Sequence, residues 1–357
     1  MKRRFNYRFI LKTLGFLLII EALFMLLTAM VAFHYKEVAG DSFLLASGIT
    51  MVSGIIFRLI GIEHDERYIG KREGFLLVTL TWILLSAFGM IPYLHSGVIA
   101  NITDAFFENV SGFTTTGATI IKDVSIVPNG FLFWRNITQW IGGIGIVVFA
   151  LALLPMIGGN ASFLYDAETT GISHERFQPR VTQVAKRIWI IYIGLTLFFF
   201  GLLWLGPMTG FDAICHAMTA LACGGYSTQA ESIGFWDSAY IEYVMMFAMF
   251  VGGTNFVLLY FCIKGKPQRL IKDEEFKWYI GICIIFALVI AASLLYSGKI
   301  ADVEKSIRTS LFMVISMVTS SGFVIPGFYS NGAFYMFVCS ILCLFCACAG
   351  STSGGMK

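Results

Sequence analysis

Three stretches of this chain end in small residues closed by a glycine, and their common spacing poses the first chemical question. The first reads Asp104-Ala-Phe-Phe-Glu-Asn-Val-Ser-Gly-Phe-Thr-Thr-Thr-Gly117. The second reads Asp212-Ala-Ile-Cys-His-Ala-Met-Thr-Ala-Leu-Ala-Cys-Gly-Gly225, and the third Thr309-Ser-Leu-Phe-Met-Val-Ile-Ser-Met-Val-Thr-Ser-Ser-Gly322. The glycines lie 108 and 97 residues apart. Aligned on them, Ser111, Thr219 and Ser316 coincide, and Thr115 and Thr116 match Cys223 and Gly224, then Ser320 and Ser321. Such an internal period fixes an architecture before any single residue does. Each stretch reads as a short helix, a strip of small residues and a polar return. Glycine tolerates positive φ, so consecutive carbonyls can turn toward one axis. Carbonyl oxygens so arranged replace the hydration shell of a cation. The helix aims its C-terminal partial negative charge at the same place. Small hydroxyl side chains at Thr115, Thr116, Ser320 and Ser321 leave room and brace the strip.

A single strip of this kind reads as a close-packing face between helices, a common use of small residues in membranes. Three in one register, each between apolar spans and on one side of the membrane, point instead to an ion path. Competing chemistries lack their residues. Cys339, Cys343, Cys346 and Cys348 match a metal cluster in number, but they sit in a continuous apolar run with no histidine nearby. Buried free cysteine behaves as a small hydrophobe, and the eight cysteines, mostly within spans, imply no disulfide framework. The five histidines are scattered, and no carboxylate pair or Ser/His/Asp grouping points to an enzyme. Gly142-Gly143 with Gly145 resembles part of a dinucleotide loop, yet no strand precedes it. Close helix packing is the better reading there and at Gly252-Gly253. Gly350-Ser-Thr-Ser-Gly354-Gly355 differs: six small residues in a row should break a helix in mid-membrane.

The elements that must carry these strips are transmembrane. Of 357 residues 57% are hydrophobic and only 13% charged, about half the charge of a soluble domain; mean hydropathy is +0.77. Apolar runs cover Leu14–Phe33, Phe43–Ile62, Phe75–Leu94, Phe131–Ile157, Ile188–Pro207, Ile241–Ile263 and Trp278–Tyr296, and an eighth starts near Ala333. Each of the seven reaches the roughly 20 residues that cross a hydrocarbon core. The first is too long for a cleaved signal peptide; its Glu21 reads as a structural acid facing protein. One set of loops carries nineteen of the 25 basic residues: Lys2, Arg3, Arg4, Arg8 and Lys12, Arg58, Arg67, Lys71 and Arg72, Arg176, Arg180, Lys186 and Arg187, Lys264, Lys266, Arg269, Lys272 and Lys277, and Lys357. Lys36, Lys122, Arg135, Lys299, Lys305 and Arg308 fall on the other side. The asymmetry places the N-terminus in the cytoplasm. A net charge of +3 gives no reason to expect nucleic acid; the basic loops face lipid headgroups.

Thr114–Thr119, the segment Cys223-Gly-Gly-Tyr-Ser-Thr228 and the run Cys348-Ala-Gly-Ser-Thr-Ser-Gly-Gly-Met-Lys357 together resemble the Trk/Ktr/HKT superfamily, and two extra spans before the first repeat resemble its TrkH branch. The resemblance covers the whole chain. It implies an all-α membrane protein of span–pore helix–span repeats around one potassium path in the bacterial inner membrane. The filter is then Thr115, Thr116 and Gly117, Cys223, Gly224 and Gly225, and Ser320, Ser321 and Gly322, with potassium bound there and no cofactor. Glycine at all three filter positions goes with potassium selectivity in such proteins; Cys223 departs from the expected hydroxyl, with little consequence if only its carbonyl binds. Gly350, Ser351, Thr352, Ser353, Gly354 and Gly355 become an intramembrane gate loop. A homodimer and a cytosolic nucleotide-binding partner of the TrkA type are also implied.

The expected domains are two extra N-terminal helices over 1–73 and pore repeats over 74–186, 187–275 and 276–357. The resemblance implies four repeats, so the third is expected to be incomplete and the fourth absent. A sodium-permeable or ion-coupled secondary carrier is the alternative. Coupled carriers need inverted topology or intramembrane carboxylates, whereas these repeats run parallel with few buried acids.

Overall fold

The computed structural model describes residues 6–61, 71–145, 181–298, 300–325, 332–345 and 347–355. The part of the expected fourth span beyond Gly145 lies outside them, as do Lys2, Arg3, Arg4, Arg67, Arg176, Arg180, Lys299, Cys346 and Lys357. The described helices are α1 (Tyr7–His34), α2 (Ala39–Ile60), α3 (Lys71–Gly89), α4 (Ile91–Ser96), α5 (Ile102–Phe113), α6 (Asn129–Gly143) and α7 (Val181–Trp204). They continue with α8 (Gly210–Leu221), α9 (Ala239–Gly252), α10 (Phe256–Ile263), α11 (Gln268–Lys272), α12 (Glu274–Tyr296), α13 (Val303–Val318) and α14 (Ala333–Leu344). Among the described residues there is no strand. Among the described residues five helices are long and apolar enough to cross a membrane, and α9 with α10 forms one further candidate bent by 106°.

The chain divides into two compact units. The first comprises Met1–Thr114 and Ala118–Trp189, the second Thr115–Gly117 and Ile190–Lys357. All three glycine-closed strips therefore belong to the second.

In the first unit α1 and α2 form a hairpin whose glycines let backbone meet backbone. A Cβ on Gly15 would lie 2.5 Å from the carbonyl oxygen of Gly54, and one on Gly61 would lie 2.6 Å from that of Arg8. Close approach of this kind is how helices associate where lipid removes the hydrophobic drive. The turn between them, with Lys36 at φ 58°, delivers Glu37 to the start of α6. Its two carboxylate oxygens accept the amides of Asn129 and Gly130 at 2.7 and 2.9 Å, which satisfies donors that a helix start leaves without partners. Phe43, Tyr93, Phe131 and Trp134 pack into an aromatic core, and the Trp134 indole donates to the Gly89 carbonyl at 3.1 Å.

In the second unit the short helices α8 and α13 start on side-chain caps: Thr209 accepts the Asp212 amide and Asp302 that of Glu304. The apolar run Ile241–Ile263, which reads as one span in the sequence, is broken. α9 ends at Gly252, Asn255 caps α10 by accepting the amides of Val257 and Leu258, and the axis turns between them. Tyr279 of α12 stacks on Phe250 just before the break, with centroids 4.7 Å apart. α14 stops at Leu344, so the third repeat leaves helical geometry before its run of small residues begins.

Candidate cation path

Each strip begins where its short helix ends. Thr115, Cys223 and Ser320 have φ of 53°, 52° and 54°, and two residues on Gly117, Gly225 and Gly322 have φ of 75°, 79° and 76°. The glycines were expected to adopt this conformation; the three non-glycine residues were not. A left-handed backbone costs an L-residue roughly 1–2 kcal/mol, and its recurrence at one register in three repeats marks a built feature. The second and third short helices are closed in the same way as each other. The Cys223 amide donates to Ala220 and that of Gly224 to Thr219; the Ser320 amide donates to Met317 and that of Ser321 to Ser316.

Six residues before each glycine stands the hydroxyl that the alignment brought into coincidence. Ser111 donates to the carbonyl of Ala118 at 2.6 Å, Thr219 to Tyr226 at 3.0 Å, and Ser316 to Phe323 at 2.8 Å. Each acceptor directly follows the strip glycine, so one hydroxyl ties the outgoing chain to its own short helix. Nine residues before the glycine the helices differ. In the first repeat the buried Glu108 accepts from the Thr119 hydroxyl and the Ile120 amide, each at 3.0 Å, and pairs with the Arg135 guanidinium at 2.8 Å. In the second, His216 bonds Ser227 through Nε2 at 2.9 Å. Arg135 is thus a buried partner on α6, not the external loop charge the sequence reading counted, and its removal from that count sharpens the charge asymmetry.

Glycines of the following helix let it press under the short helix. A Cβ on Gly142 would run into the Phe113 carbonyl, and one on Gly252 would lie 2.8 Å from that of Leu221. Phe113 and Leu221 each stand four residues before a strip glycine. Packing is thus part of what Gly252 does; the break that follows is the part the sequence reading missed.

The segment Gly350–Gly355 lies outside any helix and meets two of the strips. Thr352 donates to the Leu221 carbonyl at 2.6 Å and to that of Gly252 at 3.0 Å, and its hydroxyl is 3.4 Å from the Cys223 thiol. Gly354 donates its amide to the Ser320 hydroxyl at 3.1 Å. Main chain also pairs with main chain: the Cys348 amide donates to Gly253, that of Thr352 to Gly252, and that of Phe256 to Gly350. Two interrupted helices thereby satisfy each other's backbone, as non-helical chain at membrane depth requires. Ser351 donates to the Cys348 carbonyl, and Ser353 stands 3.4 Å from Ser320.

Within the second unit, then, lie Thr115, Thr116 and Gly117, the buried Cys223 and Gly224 with the partly exposed Gly225, and Ser320 with the buried Ser321 and the exposed Gly322. These features define a class: a multi-span membrane protein of repeated span, short helix, strip and span, with the second spans of the second and third repeats interrupted.

A family model described as "TrkH: Cation transport protein" matches residues 55–357, and the chain belongs to that family. Its members are transport proteins, not enzymes. The Trk system potassium uptake protein TrkH of Vibrio parahaemolyticus is 35% identical over 357 residues, covering 99% of this chain and 73% of the relative. The protein of the same name from Escherichia coli K12 is 33% identical over 355 residues with the same coverage. TrkG of that organism, also a Trk system potassium uptake protein, is 33% identical over 352 residues, covering 96% of this chain and 71% of its own. Among solved structures, the crystal structure of the potassium transporter TrkH from Vibrio parahaemolyticus superposes with a TM-score of 0.87 over 99% of this chain and 73% of that one, at 33% identity.

Proposed function

We propose that this protein takes up potassium across the bacterial inner membrane as the pore-forming subunit of a Trk system. The ion passes strips Thr115–Gly117, Cys223–Gly225 and Ser320–Gly322 and binds their backbone carbonyls. The observation that carries this reading is the alternation of φ sign, positive at the first and third residue of every strip. Alternation swings neighbouring peptide planes so that their carbonyls can share one side, the arrangement that substitutes for water around a cation. Below the strips, Gly350–Gly355 acts as a gate, supported by its contacts to Cys223 and Ser320. The N-terminus faces the cytoplasm, the protein works as a homodimer, and a cytosolic nucleotide-binding subunit of the TrkA type acts on the gate.

The test is ion preference in a strain lacking other potassium uptake. Gly117→Ser, Gly225→Ser and Gly322→Ser should each lower rubidium uptake relative to sodium competition. Unchanged preference in all three would refute the filter. For orientation, Lys266→Cys should react with an impermeant thiol reagent only after permeabilisation; labelling of intact cells would reverse the topology.

A further inference from the structure

We infer that Glu108 and His216 are positioning residues of the ion path, holding the chain that leaves the first and second strips, and that the third repeat lacks this hold on its own helix. The inference rests on the filter reading above. Both residues stand nine positions before a strip glycine, one on α5 and the other on α8, and both grip the residue two positions after it: Thr119 for Glu108, Ser227 for His216. Their chemistry differs, but the geometry agrees.

The hydrogen bonds assign the histidine's protons. Nδ1 lies 2.8 Å from the Asp212 carbonyl oxygen, which can only accept, so Nδ1 carries hydrogen. In the neutral ring Nε2 is then the acceptor, and the Ser227 hydroxyl donates to it. That serine in turn accepts the Gln229 amide at 3.1 Å, and Asp212 accepts from the Thr228 hydroxyl at 2.5 Å. Three consecutive residues of the return are therefore tied, directly or through one link, to a single turn of α8. The ring also packs edge-on against Trp236 and lies 6.0 Å from Phe323, the residue after Gly322.

In the first repeat the hold is ionic. Glu108 takes the Thr119 hydroxyl, the Ile120 amide and the Arg135 guanidinium, and Arg135 also donates to Thr119 at 3.0 Å. Charge-assisted bonds are about twice as strong as neutral ones, which suits a return otherwise more exposed than its counterpart in the second repeat. In the third repeat the same register holds Met313, which offers no hydrogen bond of this strength. There the amide of Val324, two after Gly322, donates at 3.3 Å to Ser232 of the second repeat. The third strip keeps the Ser316 tie to Phe323 and takes its contact two residues after the glycine from a neighbour.

Ion preference separates positioning from mere packing, with membrane abundance matched throughout. Thr119→Val, Ser227→Ala and His216→Leu should each lower the rubidium-over-sodium preference about threefold to tenfold, the range one buried hydrogen bond spans. His216→Gln, which returns an acceptor toward Ser227, should recover most of it, whereas Met313→Leu should leave it as in the parent. Should His216→Leu fail to insert, Thr119→Val, Ser227→Ala and His216→Gln decide. Parental preference in Thr119→Val and Ser227→Ala, with a lowered value in Gly322→Ser, overturns the positioning role and leaves the filter standing. Parental preference in all of them overturns both.

Discussion

The Thr352 hydroxyl donates to the Leu221 carbonyl at 2.6 Å, a bond that joins residues 131 positions apart. Leu221 is the last residue of α8, so the run of small residues in the third repeat is fastened to the base of the second repeat's short helix. The neighbouring main-chain bonds pin Cys348 to Thr352 in the same way, whereas Ser353 and Gly354 meet the strip through Ser320. If the loop gates the path, the moving part begins after Thr352.

Thr352→Val tests that anchor. Valine keeps the shape and leaves two buried carbonyls without this donor, at about 1–3 kcal/mol. We expect faster rubidium flux and faster modification of Cys223 by a small thiol reagent in a background otherwise free of cysteine. Cys223 is 1% exposed in the intact arrangement, so an unchanged modification rate would show that Thr352 does not hold the loop shut.

The three filter glycines should not respond equally to serine. A Cβ on Gly225 would run into the Ser321 carbonyl, whereas one on Gly322 meets nothing within 4 Å and bears only the strain of positive φ. Gly225→Ser should abolish uptake or nearly so. Gly322→Ser should retain measurable flux with reduced preference, since the conformational cost is roughly 1–2 kcal/mol. Equal loss in both would refute the steric distinction.

Glu37 should matter to stability rather than to ion choice. Glu37→Ala removes the carboxylate that accepts the first two amides of α6, at a cost of about 1 kcal/mol. A lower melting temperature in detergent with unchanged rubidium-over-sodium preference is the expected pair of results. A changed preference would mean that the cap reaches the path.

The α1–α2 hairpin depends on bare backbone contact at Gly15 and Gly54. Gly15→Val would place side-chain atoms where the Gly54 carbonyl and Arg58 amide now stand, so the protein should accumulate poorly in the membrane. Gly48→Ala, at a position where a Cβ meets nothing within 4 Å, is the control and should accumulate normally.

Much of this architecture was legible in the sequence. The strips, their helices and the coincidence of Ser111, Thr219 and Ser316 all appear on alignment, because each repeat uses the same residue types at the same spacing. What the hydroxyls do needed geometry, since serine on an apolar helix equally donates to its own preceding turn. The positive φ at Thr115, Cys223 and Ser320 left no trace, for these residue types carry no mark of left-handed backbone as glycine does. Glu108 and His216 share a register but not a chemistry, so comparison by residue type passes over them. The break after Gly252 was hidden by unbroken hydropathy; Asn255, a helix-capping residue inside an apolar run, was the signal available.

The mutual pairing of the two interrupted helices has a consequence for how the protein is made. The carbonyls of Gly252 and Gly253 and the amide of Phe256 find partners in residues 348–352, and Thr352 follows Gly252 by 100 residues. At about 5–20 residues per second of synthesis, these groups wait roughly 5–20 s in an environment where each unmet one costs several kcal/mol. The second repeat therefore leaves the ribosome unfinished, and the third completes it. A nascent chain stalled between the two should present the membrane quality-control proteases with an open helix break, not with a smaller pore.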